Sequence, residues 1–206
     1  MATPTALARA SETVTPQGVL AIVNKPSLAW PGSVGLDGSA SHGLTLVLDG
    51  IGEPGNLGTL CRTGAALGVD GIILLHQCVD VWGPKALRSS MGASFRVPIT
   101  TADSWQEAKE FLNSKGTKNV YAADGAASAR HFDIDWTQPT ALVIGSEAAG
   151  LSDAVMDDMK REDKSATAGG CHVAGVGIPL ASGIESLNAA AAGAVILGEA
   201  CRQRQG

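Results

Sequence analysis

DGIGEPGNLGTLCRTG, residues 49–64, is the stretch on which the reading of this chain turns. It follows the apolar run LTLVL, which reads as a buried strand, and it holds Gly50, Gly52 and Gly55 in a literal G-x-G-x-x-G. A dinucleotide fingerprint needs its third glycine inside the opening helix and an acid at the end of the next strand to hold ribose hydroxyls. Here Pro54 biases Glu53 away from helical geometry. The next apolar run, GIILLH, ends in His76 and Gln77 rather than an acid. The fingerprint therefore fails on two counts. What the turn does carry is Asn56, Gly58 and Arg62, spaced N-x-G-x-x-x-R, at the start of a helix expected over NLGTLCRTGAALG and stopped by Gly68.

Downstream, strand and helix alternate. GIILLH, RVPIT, NVYAADG and TALVIGS read as strands. PKALRSSMGAS reads as a short helix entered through Pro84. SWQEAKEFLNSKG reads as an amphipathic helix with Ser104 as N-cap, Glu107 completing a capping box and Gly116 as the stop. LSDAVMDDMKRE is expected to be helical, HVAGVGIPL partly extended, and GIESLNAAAAGAVILGEACRQRQ one long helix. The strands are continuous apolar runs, the pattern of a parallel sheet covered on both faces, so the fold class is α/β. Residues 1–43 lack periodicity and are expected to be a tail and linker with a short extended piece, VLAIV. GSVGLDGSASHG reads as a flexible loop, KREDKSATAGGCHVAG as a mobile one, and the folded domain is expected over 44–206.

With 206 residues, 45% hydrophobic, the chain has material for one sizeable core. Aromatics are scarce at 4%, and 26 glycines suit tight helix–sheet packing with many turns. A net charge of -5 argues against a broad basic surface, leaving any contact with nucleic acid to local residues such as Arg62, Lys85, Arg88 and Arg96. Cys61, Cys78, Cys171 and Cys201 are scattered with no C-x-x-C. No zinc site is expected, and reduced thiols in an intracellular protein are the default reading. No apolar run is long enough to span a bilayer. MATPTALARASE is a poor match to a transit peptide, so the expected location is cytoplasmic, with an organelle as the alternative.

Two further stretches place polar residues where buried strands end. IGSEAAGLS puts Gly145, Ser146 and Glu147 at a strand's carboxyl end. IPLASGIESLNAAAAG puts Ser186 and Asn188 at the start of the last helix, where their plain reading is capping. With GNLGTLCRTG, these stretches resemble, in order and context, the three motifs of the SpoU (TrmH-like) branch of the SPOUT RNA methyltransferases. The resemblance covers roughly residues 44–204.

The resemblance implies an α/β domain with a C-terminal trefoil knot, a homodimer using the last helix, and S-adenosyl-L-methionine as cofactor with no metal. The cofactor would be held by backbone groups of Ala123, Gly145, Ile178 and Leu187. The implied reaction is methyl transfer to a ribose 2′-hydroxyl of RNA, ribosomal RNA ahead of tRNA because TVTPQGVLAIV resembles the tract of the rRNA-modifying subgroup. Arg62 would orient the hydroxyl and a nearby phosphate, Asn56 and Glu147 would fix its guanidinium, and Ser186 and Asn188 would fix the loop and the ribose. Ala148 stands where many members have Gly, and the connection from Ser152 to Gly177 is long for the family. Two other readings compete: a non-catalytic RNA-binding protein of the same fold, and a nicotinamide-cofactor enzyme resting only on the failed fingerprint.

Overall fold

The computed structural model describes residues 3–11, 17–30, 43–161 and 170–205. Six strands form one wholly parallel sheet in the order β3-β2-β1-β5-β4-β6. They are β1 (Leu44–Asp49), β2 (Gly71–Leu75), β3 (Ile99–Ala102), β4 (Asn119–Ala123), β5 (Thr140–Gly145) and β6 (His172–Val176). The central pair, β1 and β5, is buried along almost its whole length, which is why LTLVLD and TALVIG read as unbroken apolar runs.

The helices are α1 (Pro4–Ala10), α2 (Pro54–Ala66), α3 (Pro84–Ser90), α4 (Trp105–Ser114), α5 (Asp153–Lys160) and α6 (Ala189–Gln205). Helices α2 and α6 contribute Leu57, Leu60, Ile196 and Leu197 to one core, with Leu46, Leu48 and Ile144 of the sheet. Helix α4 supplies Trp105, Ala108 and Leu112 to a second core, with Val47, Ile73 and Val143. Alternate side chains of each strand thus go to opposite faces, both covered.

Several helices start or end elsewhere than expected, each for a local reason. Helix α2 begins at Pro54 rather than Asn56. Glu53 is its N-cap, extended as the residue before a proline prefers, and Pro54 takes the first helical position, so Gly55 lies inside the helix. One of the two arguments against the fingerprint therefore falls. Another replaces it: the Glu53 carboxylate accepts the Asn56 N–H (2.7 Å) and pairs with Lys85 (2.5 Å), so an internal anion holds the place a pyrophosphate would need. Helix α3 stops at Ser90, because Met91 and Gly92 turn left-handed before a 3-10 turn over Ala93–Phe95. This turn takes up the residues before the strand, so β3 is Ile99–Ala102 and not RVPIT; the Pro98 carbonyl already accepts from Ile72. Helix α5 is shorter at both ends than LSDAVMDDMKRE.

The largest shift is in α6, which starts at Ala189 and not at Gly183. Residues 183–188 are not helical; Gly183 has φ +85°. Asn188 opens the helix, its Oδ1 accepting from Ala191 N–H (3.1 Å) and its backbone carbonyl from Ala192 (2.9 Å).

Helix α4 fits its capping box. Ser104 Oγ accepts from Glu107 N–H (3.2 Å), while the Glu107 carboxylate reaches one residue further back, to the Asp103 N–H (2.7 Å). Within 3–11 and 17–30 there is more structure than a tail: α1 is capped by Thr3, and Trp30 lies over Gly71, where a Cβ would stand 2.4 Å from its ring, and meets Phe111 edge-on. VLAIV is unpaired, with Ile22 96% exposed. The expected loops at 32–43 and 160–175 fall outside the described residues over 32–42 and 162–169.

The glycine of N-x-G-x-x-x-R has a packing task. A Cβ on Gly58 would lie 1.8 Å from Ser89 Oγ and 2.3 Å from the Ala86 carbonyl, so α2 and α3 can approach only through a glycine. No helix among the described residues is long and apolar enough to cross a membrane.

Candidate functional site

A cleft of about 480 Å³ opens at the carboxyl ends of β4, β5 and β6. In open α/β sheets ligands bind at that end of the strands. Three segments wall it: residues 123–125 after β4, 145–150 after β5, and 176–188 running from β6 to α6. Ala123, Gly145, Ile178 and Leu187 all line it, as do Glu147, Ser186 and Asn188. Seven of the nine residues singled out from sequence thus meet around one cavity. Asn56 and Arg62 lie outside its lining.

The β5–α5 turn is a tight loop. Ser146 and Gly150 exchange backbone hydrogen bonds (2.9 and 2.8 Å), and Gly150 has φ +72°. A Cβ on Gly145 would come within 2.5 Å of the Gly150 carbonyl, so the loop's own closure demands glycine there, whatever the cleft holds. Ala148 sits without a positive φ, so its methyl group puts no strain on this turn. The buried Asp49 carboxylate, at the end of β1, accepts from Ser152 N–H (2.7 Å) and fixes where α5 begins.

The polar network differs from the one expected. Asn56 and Glu147 do not clamp the Arg62 guanidinium; they converge on Asn188. Asn188 Nδ2 donates to Asn56 Oδ1 (3.1 Å) and to Glu147 Oε1, and Ala189 N–H donates to the same Glu147 oxygen (3.1 Å). Glu147 thus holds the first turn of α6, where a carboxylate complements the helix dipole, and Asn56 ties α2 into the same knot of hydrogen bonds. Arg62 is exposed and makes no hydrogen bond or ion pair among the described residues. Its place on α2 explains this: six residues beyond Asn56 it points about 120° away from it. Ser186 is exposed and caps nothing; Asn188 alone performs the capping foreseen for both.

Of the basic residues singled out, Arg62, Arg88 and Arg96 are exposed on the α2–α3 side of the molecule, while Lys85 is engaged by Glu53. That hydrogen bond and charge hold the Glu53 carboxyl below its ordinary range. The buried Cys61 thiol is pushed up to about 12 by burial and is no nucleophile.

Sequence reasoning missed two residues of the cleft that carry charge, Asp124 and Glu185. Both were signalled: Asp124 directly follows β4 in AADG, and Glu185 stands beside Ser186 in GIESLN. The segment facing them is anchored from behind. Gly177 N–H donates to Ala129 O (2.8 Å), and Gly177 O accepts from His131 N–H (3.0 Å).

Comparison with known proteins matches this architecture. The family model described as SpoU rRNA Methylase family matches residues 43–198. An uncharacterized tRNA/rRNA methyltransferase of Synechocystis is 37% identical over 199 residues, 96% of this chain and 65% of that protein. The 23S rRNA (uridine(2479)-2'-O)-methyltransferase of Streptomyces viridochromogenes is 37% identical, covering 78% of this chain and 53% of that one. The crystal structure of the SpoU methyltransferase AviRb from the same organism, in complex with the cofactor AdoMet, superposes with a TM-score of 0.70 at 34% identity, over 85% of this chain and 66% of that one. The chain thus spans between about half and two thirds of the length of these relatives. On the extent of the family match and the parallel sheet that carries it, the chain belongs to the SpoU rRNA methylase family.

Proposed function

We propose that the chain is the catalytic domain of an S-adenosylmethionine-dependent RNA 2′-O-ribose methyltransferase acting on ribosomal RNA. The observation that carries this reading is the convergence of Ala123, Gly145, Ile178 and Leu187 with Glu147, Ser186 and Asn188 on one cleft. Relatives named as rRNA 2′-O-methyltransferases and a structural neighbour holding AdoMet support it. The residues present suit the cofactor. Ile144, Val176, Ile178 and Ile196 offer an apolar wall for an adenine, carboxylates stand at the rim, and the volume falls in the range of small-molecule sites. Bound there, S-adenosylmethionine would supply the methyl group.

The chain's own residues would do the rest. Backbone groups of Ala123, Gly145, Ile178 and Leu187 would hold the cofactor. The exposed, unpaired guanidinium of Arg62 would draw in the RNA phosphate and orient the ribose hydroxyl, a positioning role that suits an arginine better than removing the proton. The Asn56–Asn188–Glu147 network would set the distance between α2, which carries Arg62, and the cleft. Ser186, exposed on the loop before α6, would meet the ribose.

The reading includes a trefoil knot and a homodimer. In favour of the knot, residues 177–188 cross from edge strand β6 back to α6, which packs on α2 near the sheet centre. In favour of the dimer, Ala191, Val195 and Gly198 form an outward stripe of small residues on α6; Val195 is 41% exposed and a Cβ on Gly198 would meet nothing.

Two experiments test the proposal. Calorimetric titration should give saturable S-adenosylmethionine binding near one site per chain, and none with NAD. Methyl transfer from radiolabelled cofactor to rRNA, at a ribose 2′ position, should be lost in Arg62→Ala. Binding without transfer to any RNA would move the reading to a non-catalytic RNA-binding protein.

A further inference from the structure

The cleft has an unbalanced charge. Three carboxylates line it, those of Asp124, Glu147 and Glu185, and its lining includes no lysine or arginine. The ion pairs among the described residues lie elsewhere, at Glu53, Asp158 and Glu199. Glu147 is compensated in part, by the Asn188 amide, the Ala189 N–H and the start of α6. Asp124 is compensated less: its Oδ1 accepts one backbone N–H, from Ala126 (2.9 Å), in a local turn, and Arg130, whose Nη1 would stand 3.6 Å from a Cβ on Gly177 behind the cleft, forms no ion pair with it. Glu185 has no hydrogen-bond partner among the described residues and is brought beside the end of β4, where a Cβ on Gly125 would lie 3.8 Å from the Glu185 carbonyl. Two adjoining segments thus present negative charge to a concave wall whose other face is apolar, where field lines concentrate.

We propose that Asp124 and Glu185 read the charge of the ligand, so that the cleft takes the cationic methyl donor in preference to its demethylated product. The inference rests on the methyltransferase reading above. The donor carries a sulfonium, an ammonium and a carboxylate, one net positive charge. When the methyl group leaves, the carbon–sulfur bond breaks, its electron pair stays on sulfur, and the sulfonium becomes a neutral thioether. The new oxygen–carbon bond forms as the hydroxyl proton passes to solvent. The product S-adenosylhomocysteine is net neutral. An acidic wall therefore attracts the substrate form of the cofactor and loses its hold once the reaction is done. The same wall repels anionic ligands of the cleft.

The test is calorimetric titration of the wild-type chain with S-adenosylmethionine and with S-adenosylhomocysteine, at low and at high ionic strength. It is repeated on Asp124→Asn combined with Glu185→Gln, with circular dichroism to check the fold. The wild type should favour the sulfonium ligand by about fivefold or more at low ionic strength, and the preference should shrink in salt. In the double variant it should vanish, with the affinity for S-adenosylhomocysteine held within about twofold. Equal wild-type affinities, or an undiminished preference in the folded double variant, overturn the inference alone. If the double variant does not fold, a wild-type ratio that is indifferent to ionic strength overturns it. Failure of both ligands to bind overturns the methyltransferase reading and this inference with it.

Discussion

The molecule makes two strand-to-helix turns with nearly the same ingredients and uses them in opposite ways. Between β1 and α2 lie Gly50, Gly52 and Glu53; Gly145 ends β5, and Glu147 and Gly150 lie between it and α5. Glu53 caps its own helix and pairs with Lys85 at the start of the next one, α3. Glu147 has no such cap to make: it reaches Asn188, 41 residues away, and holds the first turn of α6. The first turn has its cap as soon as its own helix forms; the second finds its partners only when the chain returns. A glutamate after a buried strand therefore carries little information alone. What distinguishes the two is whether a local donor is available, and Pro54 at the first helical position makes the Glu53 cap ready-made.

Substitutions can break or sharpen this contrast. The largest effect is expected from Arg62→Ala, which should lower methyl transfer by about 10²-fold or more through lost positioning. Its S-adenosylmethionine affinity, by calorimetry, should be unchanged, because Arg62 stands outside the cleft. A comparable loss of cofactor affinity would contradict that separation. Next comes Glu147→Ala, which strands the Asn188 amide and the Ala189 N–H. It should cost about 0.5–1.5 kcal/mol in chemical denaturation, since these groups are largely exposed, and weaken cofactor binding together with transfer. Gly145→Ala should cost about 1–3 kcal/mol, because the new methyl group meets the Gly150 carbonyl. The matching change in the first turn, Gly52→Ala, should be tolerated, since nothing lies within 4 Å and its φ is not positive. Equal costs for the two glycines would erase the contrast.

Acid tests the anchorage behind the second turn. Burial raises the Asp158 carboxyl, but hydrogen bonds and charge from Lys109 and Trp105 outweigh this and hold it below its ordinary range. A carboxyl depressed in the folded state contributes stability above its unfolded pKa and loses it as pH falls through the folded value. Denaturation midpoints should therefore drop below about pH 4, and Asp158→Asn should flatten that drop. The smallest effect is expected from Glu53→Ala. That carboxylate is exposed, so its ion pair is screened and chiefly the α2 cap is lost: the midpoint should fall slightly, and cofactor binding should not change.

The sheet was legible because strands buried on both faces leave unbroken apolar runs, and α4 because its cap is written within four residues. Most of the candidate site was legible from its motifs. What escaped was the partnership between residues. No local signal says that Glu147 and Asn56 serve Asn188 rather than Arg62, because the bonds join elements far apart in sequence. The start of α6 was misplaced because an Ala-rich run has helical propensity but no boundary, and the boundary lies in the Asn188 side chain. The early glycines perform three tasks that the spacing alone does not separate. Gly50 turns left-handed, Gly55 sits under the Glu53 cap, and Gly58 lets α3 approach.

The Asn188–Glu147–Asn56 junction also bears on biosynthesis. Of the described elements α6 is the last to leave the ribosome, yet it packs on α2, among the first, and supplies the donors that Glu147 awaits. Until residues 188–205 emerge, α2 has an uncovered apolar face and the cleft lacks Asn188, Ala192 and Ile196. The sheet can begin to pair before α6 emerges, but the site can be assembled only once α6 has. The nascent chain would thus be open to chaperones and proteases until α6 closes it.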